Sequence, residues 1–125
     1  MYIAVIEEEL LIRDMLHYAL ELSGHQVDIY SEMPEHCRAY DLAIVEPGEY
    51  GQGFPAISQL IRGYHIPVLI LTFYESNMGI AREYSLPAIN KMPFRLPHLL
   101  KSISRFGRLN TPFAQPSSTR PLEAC

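Results

Sequence analysis

The chain has 125 residues, 48% hydrophobic and 19% charged, with a formal net charge of -4. Such values describe one globular domain with its own core; they argue against wholesale disorder, and the acidic balance argues against a surface that tracks nucleic-acid phosphates. No basic segment followed by an apolar one opens the sequence and no run approaches membrane-spanning length. Cys37 and Cys125 are too few and too far apart for a disulfide framework or a zinc site, so a cytoplasmic protein is expected.

Taken in chain order, strand and helix signals alternate. Tyr2-Ile3-Ala4-Val5-Ile6 is a short continuous apolar run of the kind that becomes a buried parallel strand. Ile12, Met15, Leu16, Ala19, Leu20 and Ser23 then recur at helical spacing, with Gly24 at the expected C-terminal cap. Gln26–Tyr30 reads as a second strand, and a weak helical segment is expected from about Met33 to Ala39, with Cys37 in a short helix or loop. Asp41–Val45 is the third strand, broken by Pro47-Gly48. Phe54, Ile57, Leu60, Ile61 and Tyr64 mark one face of a helix. Ile66–Leu71 is the most apolar run and the expected centre of the sheet, with Pro67 tolerable at its start. The stretch Ser76 to Ser85 contains Gly79 and has poor periodicity, so a short or irregular helix is expected there. Ala88–Lys91 is a small fifth strand. Leu96, Leu99, Leu100, Ile103 and Phe106 form the stripe of a last helix.

This order predicts an α/β domain with a doubly wound, five-stranded parallel sheet over residues 1–106. Residues 107–125, rich in Pro, Ser and Thr, are expected to form a flexible tail ending in Cys125. Ligands of such sheets bind at the carboxyl ends of the strands. Glu7 and Glu8 follow the first strand and Glu46 follows the third, so all three carboxylates are expected in one crevice. Glu9 reads as a solvated start to the first helix, favoured by its dipole. The five histidines have no metal-ligand spacing.

Four landmarks carry a family resemblance over roughly residues 2–106: Ile3-Ala4-Val5-Ile6-Glu7-Glu8-Glu9, Tyr40-Asp41-Leu42-Ala43-Ile44-Val45-Glu46, Ile66-Pro67-Val68-Leu69-Ile70-Leu71-Thr72 and Asn90-Lys91-Met92-Pro93-Phe94. In that order they resemble the response-regulator receiver domain of two-component signalling. The resemblance implies a (βα)5 flavodoxin-like fold and a phosphorelay role. It maps Glu7 and Glu8 onto the acidic pair that holds magnesium, Glu46 onto the phosphoacceptor, Thr72 onto the switch hydroxyl and Lys91 onto the cation that grips the phosphoryl group.

Three positions depart from the family's pattern, with glutamate where it has aspartate. Each extra methylene moves a carboxylate by about an ångström, which magnesium's strict octahedral geometry and in-line phosphoryl transfer tolerate poorly. Met92 intervenes before Pro93, leaving open whether Lys91 or Met92 faces the crevice. Ala88 falls where the family carries a coupling aromatic, while Phe73 and Tyr74 crowd the loop after Thr72.

The expected function is therefore a stand-alone pseudo-receiver, not an enzyme, acting as a phosphorylation-independent protein-interaction module in signal transduction. No resident metal is expected, and any magnesium would bind weakly. Lys91 is expected to act as a counter-ion to Glu46 in place of the metal, and Thr72 as a local backbone partner. Two other readings stay open: a working phosphoacceptor that uses Glu46 with magnesium on Glu7 and Glu8, and, ranked last, a small metal-dependent hydrolase. The expected partner is a histidine kinase, an effector or a second copy, with no nucleic acid or membrane. Its expected surface is the last helix, where His98, Lys101 and Arg105 form a basic strip that would steer association.

Overall fold

The Ile- and Val-rich runs form five parallel strands: β1 (Tyr2–Ile6), β2 (Gln26–Tyr30), β3 (Leu42–Val45), β4 (Val68–Thr72) and β5 (Ala88–Asn90). The computed structural model describes residues 1–35, 39–91 and 94–109, with side chains through residue 106. The strands lie in the order β2-β1-β3-β4-β5, which is the expected doubly wound sheet. Its register pairs Ile3 with Leu42, Ile44 with Leu69 and Leu71 with Ile89.

Alternate residues of each inner strand feed two separate cores, which is why the runs read as continuously apolar. Ile3, Val5, Leu42, Ile44, Leu69 and Leu71 face helices α1 (Leu10–Leu22) and α4 (Leu96–Leu109), from which Leu16, Leu20, Leu99 and Ile103 enter the core. Ala4, Ile6, Ala43, Val45, Val68 and Ile70 face α2 (Phe54–Tyr64) and α3 (Glu75–Glu83), which contribute Phe54, Ile57, Leu60 and Ala81.

Helix α1 ends as its sequence foretold. Gly24 adopts φ 92°, and the N–H groups of Gly24 and His25 donate to the carbonyls of Glu21 and Leu20. The doubtful helix is present as α3. Its C-terminus closes in the same manner through Ser85 (φ 57°), with the Leu86 N–H donating to the Ala81 carbonyl. Helix α4 continues three residues past the expected end at residue 106, to Leu109.

Two expectations are corrected. Met15, assigned to the buried stripe of α1, is 40% exposed. Strand β4 starts two residues later than expected, because the Pro67 carbonyl accepts from the Ala43 N–H while the ladder itself begins at Val68. Among the described residues there are four helices and none between β2 and β3, where the weak segment expected from Met33 to Ala39 lies partly outside the described residues. Tyr2, Tyr30 and Tyr40 pack on the α2 and α3 face of the sheet, with Tyr2 and Tyr40 both donating hydroxyl hydrogen bonds to Asp28 and Tyr30 bonded to Tyr40. Burial together with these bonds pushes the Tyr40 phenol far above its usual range. The expectations for Cys37, for Met92-Pro93 and for the tail from residue 110 onward lie outside the described residues.

Candidate functional site: a buried lysine between two glutamates

Backbone hydrogen bonds extend the ladder one residue beyond three strands. The Glu7 N–H donates to the Tyr30 carbonyl at 2.9 Å, the Glu46 N–H to the Ile6 carbonyl at 3.0 Å and the Lys91 N–H to the Thr72 carbonyl at 2.7 Å. The roots of Glu7, Glu46 and Lys91 are thus fixed along the carboxyl edge of the sheet, and their side chains converge there.

The Lys91 Nζ donates to both Glu7 oxygens, each at 3.1 Å, and stands 3.3 Å from the Glu46 Oε1. These side chains are buried, at 2% exposure for Lys91, 4% for Glu7 and 5% for Glu46. Lys91 therefore faces the crevice. Its nearer partner is Glu7 and not Glu46 alone, as the sequence had suggested.

Glu46 is held from several sides. Its Oε1 also accepts from the Phe73 N–H at 3.1 Å, and its Oε2 from the Gly48 N–H at a long 3.5 Å. The Phe73 ring lies 4.5 Å from the Lys91 Nζ and caps the ammonium from the solvent side, a cation–π contact strengthened by desolvation. The extra methylene thus carries the Glu46 carboxylate onto donors that sit at the crevice mouth.

Two carboxylates sharing one ammonium leave the site about one negative charge in excess. Burial pushes the Glu7 carboxyl above its usual range; Lys91 opposes the shift, and the Glu46 and Glu8 charges add to it. Glu8, expected beside Glu7 in the crevice, is exposed at its rim, and only its charge reaches inward. Glu9 is exposed as expected and caps α1 through its carbonyl, which accepts from the Arg13 N–H.

Thr72 is fully buried, and its Oγ1 accepts from the Tyr74 N–H and from the Asn77 Nδ2, both at 3.1 Å. The local backbone role expected for this hydroxyl is present, with an addition that the sequence did not reveal. Asn77, on α3, also donates at 2.7 Å to the Gly48 carbonyl, tying α3 to the β3–α2 loop and to the end of β4. Its Oδ1 is buried without a hydrogen-bond partner among the described residues. An asparagine in a weakly periodic helix gives no sequence signal for such a role. Asn90, at the end of β5, donates to Glu75 at 2.9 Å and fastens the other side of α3.

Magnesium does not fit this side-chain arrangement. Both oxygens of Glu7 are engaged by an ammonium, Glu46 is bonded to the same ammonium and to backbone, and Glu8 is exposed. Among the described residues no group of three or more His, Cys, Asp or Glu side chains is disposed to hold a metal ion. The basic strip is present on the solvent side of α4, where His98, Lys101 and Arg105 are all exposed.

No family model and no curated protein matches the chain. Solved structures do. The non-phosphorylated HemR receiver domain from Leptospira biflexa superposes with a TM-score of 0.71 at 23% identity, over 90% of this chain and 98% of that one. The response regulator TrrA from Thermotoga maritima, solved in complex with Mg(2+)-BeF, gives 0.69 at 18% identity over 84% and 97% of the two chains. The Vibrio cholerae chemotaxis protein CheY4 gives 0.63 at 18% identity over 84% and 97%. At such identities the likeness establishes the fold, which is that of response-regulator receiver domains.

Proposed function

We propose that this chain is a receiver-type signalling module whose phosphoryl site is closed by its own side chains, and that it works through protein contacts without being phosphorylated. The observation that carries this reading is the Lys91 ammonium, 3.1 Å from both oxygens of Glu7 and 3.3 Å from Glu46. A buried cation already supplies the charge neutralisation that a divalent ion would bring, and it does so without a coordination shell to orient a phosphodonor. Phosphoryl transfer depends on positioning and on preorganised donors. Here the Lys91 ammonium and the Phe73 N–H are already spent on Glu46.

Glu46 thereby imitates part of the phosphorylated state. It holds a negative charge against the lysine, about one charge where an acyl phosphate carries nearly two. Thr72, bonded to Asn77 and Tyr74, has no role in catalysis under this reading and serves as a fixed anchor for α3. The output is a standing surface read by a separate protein, a kinase or effector, or by a second copy. Among the described residues no helix is long and apolar enough to cross a membrane.

The test is incubation of the full chain with magnesium and acetyl phosphate, followed by intact-mass measurement. No phosphoryl adduct is expected. A stoichiometric adduct that disappears in Glu46→Gln would refute the proposal in favour of a working phosphoacceptor.

A further inference from the structure

Helix α1 carries a second apolar stripe that the sheet does not use. Leu11 is 77% exposed, Tyr18 69%, Leu22 70% and Met15 40%, and these residues follow one another at intervals of four, three and four. That is the seam spacing of packed helices. On one side the stripe merges with the buried face through Ile12 and Ala19; on the other it is bordered by the exposed acids Asp14 and Glu21. The patch, on the order of 500 Å2, is of the size that the largest and often functional apolar patch of a monomer reaches.

We infer that α1 is a homodimer seam, in which a second copy of this chain lays its own α1 antiparallel across Leu11, Met15, Tyr18 and Leu22. Intervals of four, three and four read the same in both directions, as a two-fold contact requires, because each copy must present the same patch to the other. An axis passing between Met15 and Tyr18 sets Leu11 of one copy against Leu22 of the other. It also sets Met15 against Tyr18, a sulfur–aromatic contact. Antiparallel packing aligns the helix dipoles favourably, whereas a parallel pair opposes them. Two such patches bury about 1,000 Å2 together, the size at which a specific interface becomes tenable. The association is accordingly weak and dependent on concentration.

The flanking charges give the pairing a signature. Asp14 and Glu21 border the same side of the stripe, so in an antiparallel pair acidic flank meets acidic flank. His17 offers partial relief only within its own helix, where its Nε2 lies 2.7 Å from Glu21. Salt screens this repulsion and strengthens the apolar contact, so association rises with ionic strength; a basic foreign partner on the same stripe would give the opposite trend. None of the crevice side chains takes part, and the inference stands whether or not Glu46 can be phosphorylated.

Sedimentation equilibrium of the full chain under reducing conditions tests it, with sodium chloride raised from about 0.05 M to about 0.5 M. A monomer–dimer equilibrium with Kd between about 1 and 500 µM, tighter at high salt, is expected. Leu11→Lys alone and Leu22→Glu alone lose dimerisation at least tenfold, and an equimolar mixture of the two recovers it, since the antiparallel register brings the new lysine against the new glutamate. These positions are solvent-facing, and an unchanged circular dichroism spectrum checks that each variant is folded. A monomer at all concentrations up to about 1 mM overturns the inference and leaves the stripe to a different protein. So does a dimer indifferent to both substitutions, or a mixture that does not recover.

Discussion

Removing the Lys91 ammonium leaves the Glu7 and Glu46 carboxylates facing each other at 4% and 5% side-chain exposure. Breaking a buried pair in this way costs about 3–5 kcal/mol, more than the pair itself contributes to stability. Lys91→Met, which keeps the aliphatic stem, is therefore expected to lose about that much in urea unfolding at neutral pH. The triple variant Lys91→Met, Glu7→Gln, Glu46→Gln is expected to recover most of the loss. Glu7 adds a pH dependence whose sign follows from its burial. The folded-state value lies above the ordinary 4.5, so the native protein binds more protons than the unfolded chain between the two. Stability from this group is fully present below 4.5 and is lost as pH rises through the folded value. Unfolding free energies of the native chain and of Glu7→Gln, measured from about pH 7.5 down to about pH 4.5, are expected to shift in favour of the native chain as pH falls. A gap that is constant across the range would show that the buried carboxyl titrates normally.

Among the elements, α3 joins a poor helical sequence to a demanding position. It is short and carries Gly79, yet it must hold Asn77 against Thr72 and Gly48 and supply Ala81 to the core. A Cβ built on Gly79 meets nothing within 4 Å, so that glycine costs backbone entropy with no steric return. Ser85, two residues past the helix, holds the left-handed φ that glycine adopts freely. Gly79→Ala and Ser85→Gly are each expected to stabilise the domain by about 0.5–1 kcal/mol, read from denaturation midpoints. Gly53 makes the contrast: a Cβ there would lie 2.8 Å from the Pro47 carbonyl oxygen, so Gly53→Ala is expected to destabilise. At the other end of the sheet, the Tyr40 hydroxyl joins Asp28 and Tyr30 on the face opposite α1. Tyr40→Phe leaves these partners underpaired and is expected to cost about 1–3 kcal/mol.

For the whole molecule, the sharpest consequence concerns divalent ions. A ligand that binds only the folded state raises the melting temperature with its concentration. With the crevice filled by an ammonium, magnesium at about 10 mM is expected to leave the thermal midpoint within about 1 °C of its value in EDTA. A clear rise, lost on Glu7→Gln, would mean that magnesium displaces Lys91 and would reopen the phosphoacceptor reading.

The alternating apolar runs were sufficient to specify the parallel sheet, because strands buried on both faces have no polar positions to confuse the pattern. Strand-end placement likewise brought Glu7, Glu46, Thr72 and Lys91 to one edge, since a parallel sheet collects its carboxyl ends there. The pairing of Lys91 with Glu46 was expected from the family resemblance, but other contacts between residues far apart in the chain were not legible. The bond of Lys91 to Glu7 spans 84 residues and that of Asn77 to Gly48 spans 29, and neither has a local pattern because each is made only when loops from different strands meet. The turning of Glu8 to the surface and the exposure of the α1 stripe were equally hidden. Helical spacing picked out Leu16, Ala19 and Leu20, which the sheet does bury, but gave no notice of Leu11, Tyr18 and Leu22. That these form a second apolar face outside the core belongs to the packing of α1 on the sheet.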